Sequence, residues 1–196
     1  MRKLIIHSVF RWLIVQKSRK KAILSWGILS DSSLFSRFNP YGRSMKIIGI
    51  DPGYERCGYA ILEDECLIDC GVIKTTPKAF ELRLEEIGDD FSHLLTAHKP
   101  RVLSIEDLFF VQNVTTGMKV AEVRGLLIYL AQKSGCRIVQ PKPVELKSSF
   151  TGNGKATKEE MLKMAQIRLG MGKTKVLDDT VDAIAAAFWG KNQLIL

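Results

Sequence analysis

The residues of this chain whose types and spacing could do chemistry are carboxylates. Asp51 ends the apolar run of MKIIGIDPG at 45–53, and Glu106 ends RVLSIE at 101–106. Asp179 and Asp182 stand three residues apart at the head of an Ala-rich stretch near the C-terminus. Each has an ordinary explanation when taken singly. Asp favours turns, a strand-end Glu is commonly a surface residue, and Asp178 or Asp179 would make a good N-cap, with Asp182 completing a capping box. Four carboxylates meeting without positive partners would instead repel and raise one another's pKa values. Such a site makes sense when hard divalent cations neutralise it. Mg²⁺ prefers oxygen ligands and is held by a few carboxylates plus phosphate and water. Two such ions about 3.5–4 Å apart can activate a water and stabilise the leaving oxygen in phosphodiester cleavage. The pattern points to a metal nuclease, provided the fold gathers these residues.

The elements that would gather them follow from periodicity. Ile47, Ile48 and Ile50 around Gly49, stopped by Pro52-Gly53, read as a buried strand that delivers Asp51 to a sheet edge. Residues 58–62 and 67–74 read as two further strands with short polar connections, an antiparallel meander. Residues 79–98 carry apolar side chains at 80, 84, 87, 91 and 94/95, a helical period that ends before Pro100. The next short strand, 101–106, again finishes in a carboxylate. If it lies parallel to the first, Asp51 and Glu106 emerge at one edge, where open α/β sheets bind ligands. The two-residue alternation sends the neighbouring Asp107 to the other side.

The spacing of Val120, Val123, Leu127 and Leu130 predicts a helix over 115–133, with Gly125 permitting a close approach to a neighbour. Ile138 and Val139 suggest a fifth strand, closed by Pro141. Thr157 to Glu160 fits a capping box opening a helix to about Leu169. The last helix, 179–189, puts Asp179 and Asp182 on one face. Strands and helices in this order describe an α/β domain with a mixed sheet.

Charge is informative only once located. Of the 196 residues, 1–44 hold nine Lys or Arg and one acid, Asp31, which accounts for the whole formal charge of +8. The stretch 45–196 is neutral, so the bulk basicity says little about the folded part. Within it, 133–175 carries ten Lys or Arg against Glu145, Glu159 and Glu160. That is a basic segment suited either to a solvated helical face or to nucleic acid. The apolar stretch 4–15 is cut by His7 and Arg11 and is too short and polar to span a bilayer. Residues 1–44 read as an N-terminal extension, disordered or lying upstream of the true start at Met45. A transit peptide or a basic nucleic-acid-binding arm are the other readings. The domain proper is 45–196. The four cysteines lack CxxC spacing and lie apart from the three histidines, which argues against zinc. A reducing cytoplasm is the expected compartment.

IGIDPG at 48–53 followed by Gly58, IEDLFF at 105–110, the segment 147–158 and the terminal Asp-x-x-Asp together resemble the RuvC family of Holliday-junction resolvases, in order over essentially all of 45–196. IGIDPG alone is less specific, since strand-end Asp-x-Gly also occurs in actin-like kinases. The resemblance implies an RNase H-like fold with a five-stranded mixed sheet flanked by helices. It implies a homodimer that resolves four-way DNA junctions by paired symmetric nicks, in recombination and repair, using two Mg²⁺ or Mn²⁺ ions per site. Carried over, the acidic quartet is Asp51, Glu106, Asp179 and Asp182, the three-residue spacing choosing Asp179 over Asp178. Phe109 takes the family's aromatic position at the crossover, where stacking on an unpaired base is worth ~1–3 kcal/mol. Lys147 and Lys158 match basic positions near the scissile phosphates, flanking Gly152 and Gly154 in a turn that lets DNA approach. The RuvA and RuvB branch-migration proteins are candidate partners. A junction-binding protein without nuclease activity would have lost acidic positions, and all four are present. An actin-like phosphotransferase would need a second, duplicated domain.

Overall fold

The computed structural model describes residues 45–64, 66–76, 79–108, 114–169 and 178–193. The expected extension 1–44 and Phe109 lie outside them. The chain runs β1 (Lys46–Asp51), β2 (Arg56–Glu63), β3 (Cys66–Lys74), α1 (Phe80–His98), β4 (Val102–Ile105), α2 (Val114–Lys133), β5 (Arg137–Val139), α3 (Pro143–Thr151), α4 (Lys158–Leu169) and α5 (Asp178–Asn192). The five strands form one sheet in the order β3-β2-β1-β4-β5. β1, β2 and β3 are the antiparallel meander, while β4 lies parallel to β1 and β5 parallel to β4. The expected five-stranded mixed sheet is therefore observed.

Strand alternation divides the core between two faces. On one face Ile48, Ile50 and Leu103 pack with Ile87 and Phe91 of α1 and with Val123, Leu127 and Ala131 of α2. On the other, Ile47, Ala60, Leu62 and Val102 pack with Phe150 of α3, Met161 and Ala165 of α4, and Val181, Ala183, Ile184 and Ala187 of α5. The molecule is a three-layer α/β/α sandwich. Each fully buried Ile, Leu or Phe contributes about 1.5–3 kcal/mol by leaving water, so both faces are needed to hold the sheet.

The layer carrying α5 is unusually close. A Cβ on Gly49 would overlap the Ala183 carbonyl oxygen and the Ala187 amide nitrogen, and a Cβ on Gly58 would overlap the Asp179 carbonyl. The small residues of α5 and the two strand glycines thus allow backbone to meet backbone, pulling the start of α5 down onto β1 and β2.

Helix α3 departs from the sequence reading, in which no helix covers 143–151. It carries the usual signals nonetheless: Pro143 occupies the first turn, the Glu145 carboxylate accepts from the Lys142 amide at 2.8 Å, and Gly152 caps the C-terminus in a left-handed conformation, φ 83°. Helix α4 opens on the predicted capping box, with the Glu160 amide donating to Thr157 Oγ1 (3.2 Å) and the Thr157 amide to Glu160 Oε2 (2.7 Å). Among the described residues, no helix is long and apolar enough to cross a membrane.

Candidate active site

The same alternation that builds the core aims the carboxylates. Ile47 and Gly49 face α5, so Asp51 at the end of β1 faces it too. On β4, Val102 and Ser104 face α5, Ser104 lying against Gly190, and Glu106 continues that series. The Glu106 amide donates to the Ile50 carbonyl at 3.3 Å, extending the parallel register one residue past the strand. Asp107 takes the opposite side, where its carboxylate accepts from Arg124 of α2 at 2.9 Å. The pleat thus separates the two side chains, although Asp107 also lines the cleft beside Glu106.

α5 supplies the remaining acids. Because its first turn rests on Gly58, which pairs with Asp51 in the β1/β2 register, Asp182 is brought to the end of β1. Asp51 is pushed up to about 8, first by burial and then by the charges of Asp182, Glu106 and Asp179, with Lys158 opposing. Glu106 is raised to about 7 by burial and by Asp182, with Lys147 opposing. Asp182 is also raised, chiefly by burial, with Lys158 and Lys147 pulling it down. The mutual repulsion expected from the sequence is present, with loss of water the largest single cause at each of the three. Asp51, Glu106, Asp107, Pro52, Leu108 and Pro143 line an open cleft of about 210 Å³.

Asp179 differs from the other three in its direct arginine partner. Its Oδ2 accepts from Nε of Arg56 at 2.5 Å, and both side chains are partly exposed. Asp178, the alternative to Asp179, instead pairs with Lys158 Nζ at 3.1 Å on the surface. Among the described residues, no group of three or more Asp, Glu, His or Cys side chains is placed so as to hold a metal ion together. The donor set is nevertheless of the right kind. Three dehydrated carboxylates with raised pKa values, all oxygen donors beside an open cleft, suit a hard divalent cation and no soft one.

The basic residues fall on α3, α4 and their connection. Lys147 lies on α3 and Lys158 opens α4, both near enough for the acids to feel their charge. Between them Thr151, Asn153 and Ala156 form a laced turn, in which Lys155 N donates to Asn153 Oδ1 at 3.0 Å and Ala156 N to Asn153 O at 3.0 Å. Gly152 is the helix cap, and a Cβ on Gly154 would press on Val144 of α3. Both glycines therefore have local structural reasons beside any approach of DNA. Phe109, the expected aromatic at the crossover, lies outside the described residues.

Two residues near the site were not singled out from sequence. Arg56 is visible only as a charge at the head of β2. Arg124 donates Nε to the Glu106 carbonyl at 3.1 Å as well as binding Asp107, and also reaches Gln140. Neither contact has a signal in spacing, because each spans elements that only the fold brings together.

A mixed sheet of this topology, sandwiched by helices and carrying an acidic cleft at the carboxyl ends of its two central parallel strands, defines the RNase H-like class. The comparison with known proteins is narrower. The family model described as crossover junction endodeoxyribonuclease RuvC matches residues 47–189. A protein of that name from Brachyspira hyodysenteriae is 40% identical over 148 residues, covering 73% of this chain and 91% of the relative. One from Petrotoga mobilis is 39% identical over 150 residues, covering 74% and 91%. Among solved structures, Thermus thermophilus RuvC in complex with Holliday junction substrate superposes with a TM-score of 0.70 at 26% identity, covering 74% of this chain and 92% of that one. The chain belongs to the RuvC family of crossover junction endodeoxyribonucleases, enzymes that hydrolyse phosphodiester bonds in DNA.

Proposed function

We propose that this chain resolves four-way DNA junctions by paired symmetric nicks, in recombination and repair, with Asp51, Glu106, Asp179 and Asp182 holding two Mg²⁺ or Mn²⁺ ions. The observation that carries the reading is the gathering of Asp51, Glu106 and Asp182, from β1, the end of β4 and α5, into one dehydrated cluster of raised pKa. Carboxylates in that condition release their protons when a cation takes the protons' place. When bound, divalent ions would polarise the phosphate and favour ionisation of the attacking water.

The chain's own residues do the rest. Partial burial of Asp51 and Glu106 strengthens each electrostatic contact they make in the cleft. Lys147 and Lys158 flank the acids and are suited to hold phosphate oxygens, giving binding that weakens steeply with salt. Phe109 and the turn at Gly152 and Gly154 complete the proposed DNA-binding set. We assign this activity to 45–196.

Symmetric cleavage asks for two equivalent sites, and a two-fold homodimer matches a two-fold junction. The outer face of α2 supports such a pairing. Val114, Met118 and Tyr129 are exposed there, and a Cβ on Gly125 would meet nothing within 4 Å. Among the described residues nothing closely approaches Gly125, and its open surface suits the helix of a second copy. RuvA and RuvB are candidate partners by family likeness. The free buried thiols of Cys57, Cys70 and Cys136 are in keeping with a reducing cytoplasm.

The test uses the full chain with labelled four-way junction, linear duplex of the same sequence and Mg²⁺. Paired symmetric nicks in the junction alone are expected. Asp51→Asn should bind junction but leave it uncut, and cleavage retained by that variant would sink the four-carboxylate mechanism.

A further inference from the structure

Arg56 occupies a place that the cleavage chemistry leaves unexplained. It opens β2, and because residues two apart on a strand share a face, it emerges on the α5 side together with Gly58. Gly58 lies directly beneath the backbone of Asp179, which holds that residue's main chain in place. The Asp179 side chain is turned to the guanidinium, Nε to Oδ2 at 2.5 Å, with the two side chains 44% and 27% exposed. Among the described residues, Asp51, Glu106 and Asp182 make no such contact with an arginine. One member of the quartet is therefore in direct contact with a cation, while Lys147 and Lys158 act on the other three through their charge.

We propose that Arg56 and the divalent ion compete for Asp179: the guanidinium pairs with its carboxylate and must release it before Asp179 can become a ligand. This rests on the four-carboxylate reading above. Gly58 fixes the Asp179 backbone, so the exchange falls to the two side chains. The released guanidinium then stands at the rim of the acidic cluster, where a planar five-donor fork is suited to a DNA phosphate. Arg56 is a positioning residue in this account, setting how readily the site loads.

The measurement is ion affinity in the absence of DNA, by isothermal titration of the full-length chain with Mn²⁺ and with Mg²⁺. A partly exposed ion pair that must break on loading lowers affinity modestly, so Arg56→Gln is expected to bind about two- to five-fold tighter than wild type. Arg56→Lys, which keeps the charge but lacks the fork, is expected between the two. Unchanged or weaker binding by Arg56→Gln overturns the proposal. So does Arg56→Lys indistinguishable from wild type, because long-range charge alone would then explain the effect. A wild-type chain that binds no divalent ion would instead overturn the carboxylate reading itself.

Discussion

Gly58 and Asp179 meet backbone to backbone, and a methyl group at residue 58 would overlap the Asp179 carbonyl oxygen. The relationship couples the meander to α5 at the point where α5 enters the acidic cluster. Overpacking a tight contact costs about 1–3 kcal/mol, and a misplacement of ~1 Å at a reacting centre can cost ~100-fold in rate. Gly58→Ala is therefore expected to leave a folded protein with a lowered Tm and junction cleavage reduced at least ten-fold. Single-turnover rates measured beside a thermal melt check this. A variant with wild-type cleavage would show that α5 need not rest on β2.

The raised carboxyls give stability an inverted pH dependence. Asp51 titrates near 8 and Glu106 near 7 in the fold, against about 4 in the unfolded chain. Between those limits the native state binds more protons than the unfolded state, so stability falls as pH rises. Without divalent ions, Tm is expected to drop from pH 5 to pH 8, a loss on the order of a few kcal/mol. Adding Mg²⁺ should restore it most strongly at the high-pH end. Asp51→Asn removes one buried charge and its repulsion, and is expected to be more heat-stable than wild type at pH 8 while failing to cut. An ion-free Tm that rises over this range would contradict the arrangement.

Much of this site is legible from alternation alone. Ile47, Gly49 and Asp51 must share a face opposite Ile48 and Ile50, and the same count separates Glu106 from Asp107. What alternation cannot supply is depth. The nearness of α5 follows from Gly49 and Gly58 facing the Ala-rich surface of the helix, a match between residues over a hundred positions apart. Arg56 with Asp179 is likewise a pair 123 residues apart. Helix α3 escapes for a different reason: nine residues bury only Leu146 and Phe150, too few for a visible apolar period, although its cap residues are all present. The loss of water that is the largest single cause at Asp51 depends on the packed layers and has no local signal.

Arg124 ties α2 to the turn that carries Glu106, through the Glu106 carbonyl at 3.1 Å and the Asp107 carboxylate at 2.9 Å. It touches no reacting group, so its role is to hold Glu106 at the height set by β4. Hydrogen bonds to a charged group are each worth about 1.5–3 kcal/mol when buried, and this side chain is only 15% exposed. Arg124→Gln is expected to lower the maximal cleavage rate about 10- to 100-fold, as a small misplacement would. Its junction affinity should stay close to that of wild type. Arg124→Lys should recover part of the rate. Equal losses in rate and affinity would point to general unfolding in place of a displaced Glu106.

The outer face of α2 allows a test of the dimer that separates association from folding. Gly125 sits in a helix with open space where a Cβ would be, so Gly125→Ala should stabilise an isolated monomer by up to about 1 kcal/mol. If a second copy packs there, the added methyl instead obstructs the closest approach of two helices, and the dimer weakens while the monomer does not. Tyr129 and Met118 flank that position, 58% and 61% exposed. Changing either to Glu places a charge in the proposed interface at no cost to the core. Tyr129→Glu and Met118→Glu are accordingly expected to sediment as monomers with unchanged circular dichroism. Any remaining cleavage should appear as single uncoordinated nicks, because each active site would then reach the junction alone. Sedimentation as a dimer by both variants would move the two-fold axis to another face of the molecule.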